Sequence, residues 1–362
     1  MKAAKVLIIG AGGLGSPAIL YLAGAGVGTI GVVDADLVDE SNLHRQVIHM
    51  ERRVDVPKVQ SAKEQISEFN RHTRMVTFQT RFTPENAMDI LKREDWDVVM
   101  DGSDNAATRY LISDACVIAK KPLVSASALQ WEGQATVYNY KGGPCYRCLF
   151  PKATPGSLVT NCSDGGVVGM VPGLMGQIQA LEVVKILIGQ GNVLSQRLIV
   201  FDALEMTFRQ MKIRGRNPKC QSCGDEPSIT DVKAFDYDSF CQVKCDIVAQ
   251  ITLPQDQTIK IEDFNTLNKD QKLVVIDVRV PVQYGVTNIE GSINIPLSEL
   301  QKNPQPALDI CQQHDRVFVM CRRGIASKEA TDFLISKGVR NAVNVEGGMN
   351  ALALLDERYP LY

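Results

Sequence analysis

The chain has 362 residues, of which 45% are apolar and 22% charged, with a formal net charge of −2 at pH 7. This length favours two domains over one, and the balanced charge gives no electrostatic reason to expect nucleic-acid binding. The 10 cysteines are too few for a disulfide scaffold in a chain of this size. Their Cys-x-x-Cys pairs indicate metal or sulfur chemistry in a reducing compartment.

The first apolar stretch, residues 6–33, has no charged residue but is interrupted by glycines, including Gly24, Gly26 and Gly28. A leader or a membrane-spanning helix would be a more uniform apolar block. The stretch is therefore interpreted as a buried strand, a helix and a second strand. No other segment is expected to cross a bilayer, so we expect a cytoplasmic protein that does not bind membranes.

Short β-branched runs alternate with helical stretches in the first half of the chain. The expected strands are 6–9, 29–33, 97–100, 123–125 and 135–138, and the expected helices are 58–70, 105–119 and 174–188. Such alternation predicts an α/β fold with a doubly wound, Rossmann-like, mostly parallel sheet and helices on both faces.

The pattern changes after Cys223 and becomes regular again near residue 260. Strands are expected at 273–277, 317–321 and 342–345, with a helix at 326–336. About a hundred residues suffice for a compact domain. The sequence therefore predicts a first domain at 1–227, a linker at 228–259 and a smaller α/β domain at 260–362.

A glycine-rich turn follows the first predicted strand. The glycines that would shape it are Gly10, Gly12, Gly13 and Gly15. Such a turn lets backbone amides and a helix N-terminus approach phosphate groups. Asp34 and Asp36 end the next strand, near the usual offset for an acid that binds ribose. The alternative is a tight strand-to-helix turn without a ligand.

The next loop distinguishes this site from that of a simple dinucleotide binder. Residues 41–46 read Ser-Asn-Leu-His-Arg-Gln, and Lys58 follows. Fixed cations such as Arg45 and Lys58 offset the charge of a triphosphate, so the loop fits ATP as well as NAD. Each cation taken alone could also be an ordinary surface residue.

Asp104 follows a predicted strand at the carboxyl end, where α/β sheets place their ligands. A carboxylate there could hold Mg²⁺ between phosphates. It could equally act as the N-cap of the helix that starts near Asn105, and the two roles are compatible.

Two cysteine pairs lie far apart in the chain. They are Cys145 with Cys148, and Cys220 with Cys223. Two such pairs supply four thiolates for one tetrahedral Zn²⁺ ion, and no open coordination position is apparent. We therefore predict one structural zinc ion per chain. The alternative is four free thiols.

Cys321 follows a predicted strand and opens the turn Arg-Arg-Gly-Ile-Ala-Ser. A cysteine at a strand end, facing backbone amides, a helix N-terminus and two arginines, is placed to carry an anionic sulfur. A phosphatase would need arginine where Ser327 stands. The alternative, a buried strand-end cysteine without a chemical role, fits the polar, glycine-containing turn less well.

Cys162 lies in a polar stretch, residues 160–166, that suits a mobile exposed thiol. An incidental loop cysteine is an equally good interpretation from the residues alone. Cys116, Cys241, Cys245 and Cys311 belong to no constellation.

The chain resembles the MoeB/ThiF family of ubiquitin-activating-type adenylyltransferases over residues 3–225. The resemblance rests on the glycine turn, Asp34-x-Asp36, residues 41–46, Lys58, residues 101–105 and both cysteine pairs. From about 260 to 362 the chain is similar to a rhodanese, through residues 277–279, 291–296 and the Cys321 turn. The fused arrangement resembles adenylyltransferase and sulfurtransferase proteins that act on small ubiquitin-like sulfur carriers of the MoaD/ThiS kind.

The resemblance implies roles for individual residues. Those that match the family's ATP-contacting positions are Gly13, Asp34, Ser41, Asn42, Leu43, His44, Arg45, Lys58, Asp104 and Asn105. Cys162 matches a cysteine that can bond covalently to the carrier, and Cys321 matches the persulfide-bearing cysteine of rhodaneses. The resemblance also implies a homodimer, and a sulfur donor such as a cysteine desulfurase or thiosulfate. The sulfur would enter molybdopterin biosynthesis, thiamine biosynthesis or tRNA thiolation, and the residues do not distinguish these pathways.

Two departures from the family pattern bear on these expectations. The family usually carries about thirty residues before the first strand, with an arginine that reaches ATP in the neighbouring subunit, whereas this sequence starts five residues before it. An alternative function is thus a carrier-binding scaffold or sulfurtransferase with impaired adenylation. Residues 287–289 also read Thr-Asn-Ile where Gly-His-Ile is common. An NAD-dependent oxidoreductase fused to a sulfurtransferase is the other competing class.

Overall fold

The computed structural model describes residues 1–153, 166–241, 251–270 and 272–360. The chain divides into two compact units, Met1–Val243 and Lys244–Tyr362. Each unit is an α/β structure built on one sheet, as the sequence predicts.

The described residues of the first unit form an eight-stranded sheet, in the order β3-β2-β1-β4-β5-β6-β7-β8. The strands are β1 (Lys5–Ile9), β2 (Thr29–Val33), β3 (Arg74–Phe78), β4 (Val98–Asp101), β5 (Leu123–Leu129), β6 (Glu132–Tyr138), β7 (Arg197–Asp202) and β8 (Thr207–Lys212). The first five strands in sequence are parallel, and β6 to β8 are antiparallel. The sheet is therefore mostly parallel, which confirms the predicted fold class.

The described helices of the first unit flank this sheet. They are α1 (Gly15–Gly24), α2 (Lys58–Phe69), α3 (Ala87–Arg93), α4 (Ala106–Ile118), α5 (Tyr146–Leu149), α6 (Met170–Ile188) and α7 (Tyr237–Cys241).

Strand β1 shows why helices cover both faces. Val6 and Ile8 pack in a core cluster that includes residues of α1, α2 and α6. Leu7 and Ile9 point to the opposite face, in a cluster with residues of α3 and α4. Because successive side chains of a strand alternate between faces, a fully apolar strand requires helices on both.

Helix α6 is apolar along most of its length. By length and composition alone it could cross a membrane, but the buried core helices of globular proteins can meet the same two criteria. In the structure it lies against α1 and strands β5 and β6. The sequence predicts this helix at 174–188, and in the structure it begins four residues earlier, at Met170. Its packing explains its apolar character.

The second unit has a five-stranded parallel sheet in the order β11-β10-β12-β13-β9. Its strands are β9 (Thr258–Ile259), β10 (Val275–Asp277), β11 (Ile293–Asn294), β12 (Val317–Met320) and β13 (Ala342–Val345). The described helices are α8 (Ile261–Asp270), α9 (Pro281–Val286), α10 (Leu297–Lys302), α11 (Gln305–Gln313), α12 (Ile325–Ser336) and α13 (Gly348–Leu355). Core clusters lie on both faces of this sheet as well.

The predicted linker, 228–259, differs from the structure at both ends. Val232, Tyr237 and Cys241 are buried in the core of the first unit. At the other end, β9 is part of the second sheet and pairs with β13. The first unit therefore continues past the predicted boundary at 227, and the second unit starts before 260.

Arg147 explains why residues 232–241 pack on the first unit. Its guanidinium is buried, donates two hydrogen bonds from Nε and Nη2 to Asp114 Oδ2, and lies 4.4 Å from the ring centroid of Phe235 and 4.6 Å from that of Phe240. The Tyr237 hydroxyl donates to the same carboxylate, at 3.0 Å. Cation–π contacts and a shared carboxylate hold a segment that has weak helical or strand periodicity of its own.

Candidate active sites

The carboxyl ends of three neighbouring strands are level at the first candidate site. Ile9 pairs with Val33 of β2 and with Asp101 of β4. The glycine turn, the Asp34 segment and the Asp104 loop therefore leave the sheet at one edge, on both sides of β1. In an open α/β sheet this is where ligands bind.

The glycine turn packs so tightly that side chains are excluded. Gly10 has a φ of +102°, and a Cβ there would lie 2.6 Å from the carbonyl oxygen of Gly102. A Cβ on Gly15 would lie 2.0 Å from the Gly10 oxygen. The turn is thus in contact with the Asp104 loop, and α1 starts directly from it.

Asp34 holds the turn in place. Its Oδ2 accepts a hydrogen bond from the Ala11 amide at 2.8 Å, and its Oδ1 accepts one from the Asp36 amide at 2.9 Å. Burial raises the pKa of the Asp34 carboxyl, and the Lys58 charge opposes this effect. Because both of its oxygens accept backbone hydrogen bonds, the Asp34 side chain is held in one orientation beside the turn.

Lys58 is the first residue of α2, and its side chain is only 5% exposed. Its Nζ lies 3.0 Å from Oδ2 of Asp36, whose side chain is 65% exposed. A buried ammonium whose partner faces solvent can also interact with an incoming anion.

The loop between β2 and α2 places Arg45 beside the turn. A Cβ on Gly13 would lie 3.5 Å from Arg45 Cγ, and one on Gly169 would lie 3.3 Å from Arg45 Cα. Arg45 donates to Asn42 Oδ1 at 2.6 Å and contacts His44 at 2.7 Å. Ser41 and Asn42 belong to a short 3-10 turn that is capped by Asp39. The structure therefore brings Arg45 to the glycine turn, and Asn42 holds its guanidinium.

Asp104 and Asn105 are both exposed at the end of β4. The N-cap of α4 is Asn105, whose Oδ1 accepts a hydrogen bond from the Thr108 amide at 2.8 Å. The sequence-based alternative that Asp104 caps this helix is therefore wrong, because the cap position lies one residue later. Asp104 stays a candidate for Mg²⁺.

A buried network that the sequence did not reveal supports the Asp104 loop. Asp101 is fully buried and accepts hydrogen bonds from Arg109 Nε at 3.2 Å, from Ser125 at 2.8 Å and from the Ser103 hydroxyl at 2.6 Å. Arg109 also donates to the Ser103 carbonyl. The sequence predicts a strand that ends near Asp101, but the hydrogen-bond partners of Asp101 depend on how the strands and α4 pack.

The four predicted metal ligands come together at one place. Their sulfur atoms all lie within 4.8 Å of one another; the residues are Cys145, Cys148, Cys220 and Cys223. The sulfurs of a tetrahedral Zn²⁺ site, each about 2.3 Å from the ion, would be roughly 3.8 Å apart. Measured separations include 3.8, 3.5 and 3.3 Å. The cluster thus fits a zinc ion.

Cys321 lies at the base of a tight turn in the second unit. Its Sγ accepts hydrogen bonds from the Gly324 amide at 3.1 Å and the Ser327 hydroxyl at 3.3 Å. Gly324 has a φ of +82°, and a Cβ on Gly348 would lie 2.3 Å from the Cys321 carbonyl oxygen. Donors converging on one sulfur suit an anionic sulfur or persulfide.

The neighbouring strand end carries a buried ion pair. Arg279 donates from Nε to both oxygens of Asp277 at 2.9 Å, and from Nη2 to the Thr287 carbonyl at 2.8 Å. The Thr-Asn-Ile segment that departs from the usual rhodanese pattern is therefore tied to this pair through its backbone. Cys162 lies outside the described residues.

Comparison with known proteins matches each unit to a family. The ThiF family matches residues 1–222, and the Rhodanese-like domain family matches residues 260–354. "Adenylyltransferase and sulfurtransferase MOCS3" of Culex quinquefasciatus is 44% identical over 100% of this chain and 85% of the relative. The protein of the same name from Dictyostelium discoideum is 43% identical over 92% of this chain and 84% of the relative.

Solved structures support the same fold. The crystal structure of E. coli MccB has a TM-score of 0.55 at 23% identity, covering 62% of this chain and 66% of that chain. The ATP complex of MccB has a TM-score of 0.53 at 22% identity, over 62% of this chain and 67% of that chain. At this identity the likeness shows the fold alone.

Proposed function

This chain belongs to the ThiF family and carries a rhodanese-like domain, and from that premise we propose that it activates and sulfurates a ubiquitin-like sulfur carrier. It is a transferase with adenylyltransferase and sulfurtransferase units, and its first substrate is ATP. One observation carries the proposal: Asp34 and Arg45 contact one glycine turn, and the buried Lys58 is paired with Asp36, two residues after Asp34.

In the first step, a C-terminal glycine carboxylate of the carrier attacks the α-phosphorus of ATP. Pyrophosphate leaves, and the carboxylate becomes a mixed anhydride with AMP, which has a good leaving group. The chain orients the triphosphate and offsets its charge, with amides of the turn and the cations Arg45 and Lys58. Asp104 would hold Mg²⁺, which supplies further charge neutralisation.

In the second step, the terminal sulfur of a persulfide on Cys321 attacks the activated carbonyl. The C–O bond to AMP breaks, and an acyl disulfide forms. Attack by the Cys162 thiol on the Cys321 sulfur would release the thiocarboxylate and leave a disulfide, which a cellular dithiol must reduce. The hydrogen bonds that Gly324 and Ser327 donate to Cys321 Sγ would stabilise the Cys321 thiolate that takes up sulfur from the donor to form the persulfide.

The proposal also covers the bound metal, the cellular location, the oligomeric state and the partner molecules. The four clustered cysteines would bind one structural Zn²⁺, because a set of four thiolates leaves no open position for catalysis. We further propose a cytoplasmic homodimer, with a cysteine desulfurase or thiosulfate as sulfur donor and a MoaD/ThiS-like protein as carrier.

Carrier-dependent exchange of pyrophosphate into ATP tests the first step. We expect exchange only with a carrier that ends in glycine, and accumulation of a carrier that is heavier by AMP when the sulfur donor is withheld. Folded, zinc-loaded protein that never adenylates any such carrier would overturn the proposal. Binding of NAD in preference to ATP would favour the oxidoreductase alternative.

A further inference from the structure

A buried histidine contacts the glycine turn at Ala11, the residue whose amide donates to Asp34. His49 is 5% exposed. Its Nε2 lies 3.1 Å from the carbonyl oxygen of Ala11, and its Nδ1 lies 2.9 Å from the hydroxyl of Ser61. Neither His49 nor Ser61 belongs to the motifs from which the site was predicted.

The two contacts define which nitrogen carries the proton. A carbonyl oxygen only accepts, so Nε2 must be protonated and donate to Ala11. Burial, with Lys58 and Arg53 nearby, lowers the pKa of His49 to about 4. The ring is therefore neutral at physiological pH, and Nδ1 accepts from the Ser61 hydroxyl.

Ala11 is consequently held at both of its backbone polar groups. Its amide donates to Asp34 at 2.8 Å, and its carbonyl accepts from His49. Ser61 lies on α2, the helix that begins with Lys58. A continuous set of hydrogen bonds thus joins the helix that carries Lys58 to the glycine turn.

We propose that His49 is a positioning residue for nucleotide binding. By donating to the Ala11 carbonyl it fixes the peptide group between Ala11 and Gly12, and thereby orients the amides of the glycine turn towards the phosphates of ATP. The inference rests on the proposed function, since it concerns the same nucleotide site. His49 itself lies behind the turn and does not take part in the chemistry.

Two amide variants separate positioning from simple filling of space. In His49→Gln the side-chain NH₂ occupies roughly the place of Nε2 and can still donate to Ala11. In His49→Asn it lies nearer the place of Nδ1 and falls short of Ala11. Both variants replace an aromatic ring with a shorter polar amide, so each is the matched control for the other.

We expect His49→Asn to raise the KM for ATP by about fivefold to thirtyfold in pyrophosphate exchange, the cost of losing one buried hydrogen bond. The kcat should change much less, because the chemical groups are untouched. His49→Gln should recover most of the wild-type KM. Calorimetric titration with ATP alone should show the same order of affinities, and thermal denaturation reports the stability of each variant.

The outcomes distinguish the inference from its premise. Equal ATP affinity in wild type, His49→Gln and His49→Asn would overturn the positioning role while leaving adenylation intact. Equal loss of affinity in the two variants would also overturn it, because loss would then follow the ring rather than the donor. Failure of the wild-type protein to bind ATP would overturn both the inference and the proposed function.

Discussion

The buried ammonium of Lys58 and the exposed carboxylate of Asp36 lie 3.0 Å apart, and the Asp36 amide donates to Asp34, which accepts from the glycine turn. The 5% exposed lysine has little water around it, so its charge is neutralised by one partner that itself faces solvent. A polyphosphate entering the crevice would therefore meet a cation that is already fixed in place, and no side-chain ordering would be needed at that moment.

This arrangement predicts a large effect of Lys58→Gln on adenylation. The rate of carrier-dependent pyrophosphate exchange should fall by about 10²–10³-fold, as when one preorganised transition-state donor is removed. Lys63→Gln, at an exposed position of the same helix, is the matched control and should keep the wild-type rate. Similar rates for both variants would exclude Lys58 from the site.

Cys321→Ala should separate the two activities. Pyrophosphate exchange should continue at the wild-type rate, because all residues of the proposed nucleotide site belong to the first unit. Thiocarboxylate formation, followed by mass spectrometry of the carrier, should stop, because no persulfide can form at residue 321. Sulfur transfer that survives this substitution would show that another cysteine carries the persulfide.

The cysteine cluster predicts a stability effect of metal removal. Purified protein should contain about one zinc ion per chain, and Cys220→Ser should lower both the metal content and the Tm of the first unit, because metal binding contributes to folding. Cys311→Ala, at a buried thiol of the second unit, should leave the metal content unchanged. Full stability after complete removal of zinc would contradict a structural role.

Arg147→Met should destabilise the first unit by about 3–5 kcal/mol, because it leaves the buried Asp114 carboxylate without its cation. The same change should expose residues 232–241 to limited proteolysis, since their aromatic rings pack around the guanidinium. Urea denaturation measures the first effect. Arg216→Met, which removes an exposed ion pair with Asp225, should have little effect on either measurement.

His49 predicts a pH dependence of stability. Its pKa is lowered from 6.5 to about 4 in the folded protein, so the unfolded chain binds more protons between these values. The free energy of unfolding should therefore fall as the pH drops from about 6.5 towards 4, by about 3 kcal/mol from this residue. His49→Gln should lose this component, and the difference between the two denaturation series isolates it from other titrating groups. If the wild type and His49→Gln show the same pH dependence of stability, the pKa of His49 is not lowered in the folded protein.

Several features could be predicted from sequence because their causes are local. The strand 29–33 and the helix from Lys58 follow from periodicity and match the structure within a residue. The turn at Gly10 needs a positive φ and close backbone contact, which only glycine tolerates. The cysteine spacing indicated a four-sulfur site before any packing was known. The residue-level roles of Lys58, Asp104 and Cys162 stay predictions.

Only the tertiary structure decided the remaining features, because each depends on residues far apart in sequence. Tyr237 reaches Asp114 across 123 positions, and that contact assigns residues 232–241 to the first unit instead of a linker. Likewise, His49 meets Ala11 across 38 positions, and Arg109 meets Asp101 only once α4 folds back beside β4. Periodicity and spacing describe how a segment interacts with its own neighbours, whereas the choice of a buried polar group's partner is set by the packing of the whole sheet.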